Sequence, residues 1–139
     1  MTIQNSKFKT EFIKRIIKFS ISILNFCEKL KNEKFFWSII DQLIRSSTSI
    51  GANIIEAKSS ISKLEYLKYF QIALKSANET KYWLYLIKEK DLKHQLEIEK
   101  LLKETIEISK ILAAGILTMK GKRSKNFNKD IQKKSKDFF

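Results

Sequence analysis

Proline is absent from the 139 residues and glycine occurs only three times. So few chain breakers, with no alternating apolar and polar segment bounded by turn clusters, exclude a sheet-rich fold and predict helices throughout. Cys27 is the lone cysteine, which excludes an intrachain disulfide and suits a reducing, cytoplasmic setting. His94 is the lone histidine. A metal site or a Ser-His-Asp arrangement would need companions that are not clustered around it, so an ordinary surface histidine near a helix start is expected. Phosphate-cradling glycine loops, cofactor fingerprints and nucleophile elbows are also missing. The chain is therefore expected to need no cofactor and to be no enzyme. Its longest apolar stretch, IIKFSISILNF at 16–26, has about half the roughly 20 residues that cross a bilayer and carries Lys18. The N-terminal text MTIQNSKFKTEF lacks the apolar core and cleavage site of a signal peptide, so neither secretion nor a membrane partner is expected.

Acidic residues are scarce where the chain begins and ends. The formal charge is +13, and eleven of those net charges fall within residues 1–34 and 120–139, leaving the middle almost neutral. Basic ends on a neutral body are the footprint of a polyanion-binding protein. Only Arg15, Arg45 and Arg123 are arginines. A preference for lysine reads as coding bias, but coding bias does not explain the shortage of acids at both ends. The candidate nucleic-acid contacts are Lys7, Lys9, Lys14, Arg15 and Lys18 near the start, with Lys120, Lys122, Arg123 and Lys125 near the finish.

Apolar periodicity predicts four helices. The first runs from about Lys7 to Lys31, with Phe12, Ile13, Ile16, Ile17, Ser20, Ile23, Leu24, Cys27 and Leu30 towards a core; Phe19, Ile21 and Phe26 widen that stripe. A helix apolar over so much of its circumference calls for more than one covering surface, which points to self-association. A short polar break at Lys31–Lys34 leads to a second helix over about Phe35–Ala57, then a third over about Lys63–Lys90. Ser62-Lys63-Leu64-Glu65 has the spacing of a capping box, and Asp91 is placed to cap the fourth helix. The stripe Leu96, Ile98, Leu101, Leu102, Thr105, Ile108, Leu112 and Ile116 keeps step along that helix, until Gly121 marks its end. One domain over 1–121 follows, with 122–139 a flexible basic tail in which Phe127, Phe138 and Phe139 interleave with lysines.

The second and third helices carry the most distinctive text. Arg45, Ser49, Asn53 (or Ala52) and Glu56 follow at helical steps, a polar stripe beside the apolar one, with Glu79 on the next helix placed to pair with Arg45. The small residues Ala73, Ser76, Ala77 and Thr80 would let a neighbouring helix approach, with Gly51-Ala52 as the partner. A catalytic alternative would make Glu56 and Glu79 an acid/base pair, but it requires a pocket and a perturbed pKa that nothing in the sequence indicates.

The words QLIRSSTSIGANIIEA and SKLEYLKYFQIALKSANETKYWL resemble the core of the four-helix-bundle proteins related to 23S rRNA intervening-sequence proteins. The resemblance covers about a third of the chain. It implies an all-α, up-down antiparallel four-helix bundle, a ring-like homo-oligomer that is commonly a pentamer, and a role with RNA or DNA. A related branch is similar to accessory proteins of diversity-generating retroelements, which implies a reverse transcriptase as an alternative partner. Many members have glycine where Ala57 stands and a proline before the second helix, which this chain lacks.

Overall fold

The computed structural model describes residues 3–121. Its helices are α1 (Ile3–Leu30), α2 (Trp37–Lys58), α3 (Lys63–Lys90) and α4 (Gln95–Met119), with a 3₁₀ turn at Lys34–Phe36 before α2. Each packs antiparallel to its chain neighbour, and α1 also lies beside α4, so the four close into a bundle. The third helix has the bounds read from its capping signals; α1 begins four residues ahead of its expected start. The tail expected over 122–139 lies outside the described residues.

Local chemistry sets the turns. The Ser62 hydroxyl accepts the Glu65 N–H at 3.1 Å, while the Glu65 carboxylate accepts the N–H of Ile61 at 3.3 Å. This is a capping box whose return bond lands one residue earlier than in the usual pattern. Buried Phe36 anchors the α1–α2 turn, where the Trp37 indole donates to the Lys31 carbonyl at 2.8 Å. Asp91 departs from its expected role, because its backbone ends α3 and its carboxylate accepts the Lys93 N–H at 2.9 Å and pairs with His94 Nδ1 at 2.6 Å. His94 stands at the N-cap of α4 without a side-chain cap bond. Gln95 then donates to the Lys88 and Asp91 carbonyls at 2.7 and 2.6 Å, satisfying groups that the end of α3 leaves open. Gly121 adopts φ +70°, the left-handed conformation that closes a helix and that glycine reaches without strain.

The core is a single layer of apolar side chains from all four helices. α1 contributes Phe12, Ile16, Phe19, Ile23, Phe26, Cys27 and Leu30, and the α4 stripe is buried from Ile98 to Ile116. Two expected core assignments are corrected. Leu96, in the first turn of α4, is 77% exposed, beyond the reach of neighbouring helices. Ile17, Ile21 and Leu24 are 52%, 52% and 44% exposed, because the bundle covers only one side of α1.

Between α2 and α3 the closest packing is polar. Thr80 Oγ1 is 2.9 Å from Ser46 Oγ and 2.8 Å from the Ser76 carbonyl, and the Ser76 hydroxyl donates to Ser49 Oγ at 2.9 Å. Ser46, Ser76 and Thr80 are buried, with Ala73 and Ala77 between them. Short side chains let the axes approach, and the hydroxyls bond across the seam or to their own helix carbonyls. Gly51 has a different neighbour from the one expected. A Cβ there would lie 3.0 Å from Ile16 Cγ2, so it is α1 that approaches at Gly51. The α1–α4 seam is the most open of the four, and two ion pairs cross it.

Candidate nucleic-acid interface

The up-down course brings the start of α1, the α2–α3 turn and the end of α4 to one end of the bundle. Side chains confirm the juxtaposition: Lys9 shares one surface depression with Ser60, Lys63, Tyr66 and Met119. The first basic residues of α1 and Lys120 after α4, far apart in sequence, therefore lie at one pole. Lys7 and Lys120 are exposed there, and Lys9 is half-buried with Nζ 5.3 Å from the Tyr66 ring centroid. Lys122, Arg123 and Lys125 lie outside the described residues.

Further along α1 the basic side chains have other attachments. Arg15 makes a two-pronged contact with Glu104 across the α1–α4 seam, Nε to Oε2 at 2.9 Å and Nη2 to Oε1 at 2.5 Å. Those hydrogen bonds, helped by the nearby charges of Glu104 and Glu107, raise the Arg15 pKa further against the opposing effect of burial. Two of its guanidinium nitrogens are thus engaged by one carboxylate, while the side chain remains partly exposed. Lys14 stands 3.9 Å from Glu11 as an exposed pair worth little. Lys18 is exposed and lines the polar groove between α1 and α4 with Lys14 and Lys100.

The polar stripe of α2 divides between the seam and the surface. Ser49 and Asn53 are half-buried, and Asn53 Nδ2 donates to the Ser49 carbonyl at 2.8 Å and to its hydroxyl at 3.1 Å. Arg45, Glu56 and Glu79 are exposed, and Arg45 pairs with Asp41 at 3.4 Å one turn back on its own helix, in place of Glu79. Solvating these charges outside avoids the several kcal/mol that burying them would cost. Glu56 and Glu79 thus occupy solvent-facing positions rather than a shared pocket. No catalytic site is evident, no cluster of potential metal ligands occurs, and no helix is long and apolar enough to cross a membrane, among the described residues.

Several residues at the basic pole escaped the sequence reading. A cavity of 420 Å³ opens there between α1, α3 and α4, lined by Phe8, Lys9, Phe12, Tyr66, Phe70, Ile111, Ala114, Gly115, Thr118 and Met119. Gly115 was the available signal, since an isolated glycine inside a helical pattern often marks close packing. A Cβ at that position would come within 3.2 Å of the Phe70 ring. Lys81 was also missed: it is buried on α3, and desolvation lowers its pKa.

Comparison with known proteins places this geometry. Residues 9–114 match the family described as 23S rRNA-intervening sequence protein. A solved structure from Bacteroides thetaiotaomicron, of a protein with unknown function from the S23 ribosomal protein family, is 35% identical. The match covers 76% of this chain and 97% of that one with a TM-score of 0.71. No curated protein matches the chain.

Proposed function

We propose, from the premise that this chain belongs to the 23S rRNA-intervening sequence protein family, that it is a non-catalytic, self-associating four-helix bundle that binds structured RNA or DNA. The observation that supports this reading is the meeting of three segments at one pole, where Lys9 of α1 lies beside Lys63 of α3 and Met119 of α4, with Lys120 next in the chain. Concentrated lysines on a nearly neutral body attract a polyanion and hold it by releasing its counterions. Self-association rests on the uncovered stripe of α1, where Ile17 and Ile21 line an apolar groove with Ala52 and Ile55 of α2. A ring, most simply a pentamer as the family resemblance implies, would present several poles to one ligand and multiply its avidity.

Affinity for a structured RNA, measured across a salt series, tests the reading. It should fall with a log–log slope of about −0.7 to −0.9 per phosphate contacted. Deleting residues 122–139 removes seven basic and two acidic residues, so it should flatten the slope and weaken binding without lowering the melting temperature. Absence of affinity at low salt for structured RNA, single strands and duplex DNA would overturn it. The apolar α1–α2 groove would then favour an adaptor oligomer whose partner is a protein, such as a reverse transcriptase.

A further inference from the structure

The cavity at the basic pole has walls of unusual composition. Tyr66 and Phe70 stack with centroids 4.9 Å apart and planes at 24° on α3, and Phe8 and Phe12 stack at 6.3 Å and 12° on α1. Phe8 is 60% exposed, although it belongs to a helix with ample apolar surface to bury. Among the described lining residues Lys9 is the only charged one. At Gly115 the missing side chain lets the Phe70 ring lie directly against α4.

We infer that this cavity is a nucleobase pocket, which takes the base of an unpaired nucleotide while the surrounding lysines contact its flanking phosphates. The inference rests on the polyanion-binding reading and names the part of the nucleic acid that this pole distinguishes. Flat aromatic faces stack on any base, because every base presents a π face, and an ammonium beside the rings adds attraction for the adjacent phosphate. The volume of 420 Å³ leaves room for a base; Lys9 lines it, Lys63 lines the adjoining depression that shares Lys9, Tyr66 and Met119, and exposed Lys7 and Lys120 are close by in sequence, a charge complementary to a phosphate backbone. An acyl chain would also enter an apolar space, but it gains nothing from paired flat rings or from basic residues spread over three segments. Duplex bases are paired and stacked inside their helix, so a duplex can use only the lysines.

The test compares two labelled RNAs of about 12 nucleotides, one single-stranded and one duplex, by fluorescence anisotropy at low salt with the full chain. Ala114→Leu fills the cavity from an exposed helical position with a residue that favours helix, and Tyr66→Leu keeps apolar bulk while removing a ring. Each should weaken single-strand binding by about tenfold and leave duplex binding within about twofold. Unchanged single-strand affinity in both variants would overturn the pocket, as would an equal loss for both RNAs. Failure of the unmodified protein to bind either RNA would defeat the polyanion reading itself, a result distinct from the loss of the pocket alone.

Discussion

Replacing Thr80 by valine offers the sharpest test of what holds α2 to α3. The two side chains have nearly the same shape, so the change removes a hydroxyl with little effect on packing. Thr80 is fully buried, and its hydroxyl serves both Ser46 Oγ at 2.9 Å and the Ser76 carbonyl at 2.8 Å. After the change, Ser46 retains only the Leu43 carbonyl at 3.3 Å, in a site closed to water. A lost hydrogen bond and a partly stranded hydroxyl should together cost about 1–2 kcal/mol. In a bundle of this size, that corresponds to a fall in melting temperature of roughly 3–8 °C. Ser46→Ala should cost less, about 0.5–1 kcal/mol, because Thr80 keeps its bond to the Ser76 carbonyl. The double variant should fall short of the sum by about 0.5–1 kcal/mol, since neither partner is then stranded. Circular dichroism melts at one fixed protein concentration measure all four corners, since any self-association would shift the midpoint with concentration. Strict additivity, or an unchanged midpoint for Thr80→Val, would refute the hydroxyl seam as a coupled unit.

Other expectations follow from the same coordinates. Ile17→Asp and Leu24→Asp replace exposed residues, so they should shift sedimentation to a single chain's mass while leaving helicity intact; loss of fold in both would show that these positions are covered within the bundle. Burial pushes the Cys27 thiol up to about 11 from an ordinary 9.0, so folding favours its neutral form. The associated stability is fully present below pH 9 and is lost as pH rises towards about 11. Across that range the unmodified protein should lose stability that Cys27→Ala does not, so the gap between their melting temperatures narrows; parallel curves would contradict the burial.

Periodicity made the four helices legible, and capping chemistry gave α3 its bounds, because those signals are local. Which neighbour a face meets is not local. Gly51 lies on a small-residue surface that fits either α1 or α3 on a helical wheel, and the structure gives it to α1. The polar stripe went astray for a related reason. Arg45, Ser49, Asn53 and Glu56 share one side of α2, but a charge must find a partner or water, whereas a helical hydroxyl can bond to a carbonyl of its own preceding turn. The seam therefore selects Ser46 and Ser49 opposite Thr80 and Ser76, and leaves Arg45 and Glu79 outside. The basic pole was half legible: charge counting found lysines near both ends of the bundle text, and antiparallel topology sets Lys9 and Lys63 side by side with Met119. Its cavity was not, since Phe8, Tyr66 and Gly115 come from three helices and share no spacing.

The uncovered side of α1 acquires another meaning during synthesis. This helix leaves the ribosome before the other three, yet the contacts that cover its core side come from α2 and, later, from α4. Until then its isoleucines and phenylalanines stand open to any other nascent chain. Lys14 and Lys18 border that surface on the side left to solvent, and Arg15 awaits Glu104 on α4. Such charges act as gatekeepers, keeping the apolar text soluble through the interval before its last partner is made. The same lysines leave the stripe of Ile17, Ile21 and Leu24 uninterrupted, so protection from premature aggregation and the surface proposed for self-association are separated by less than a turn of one helix.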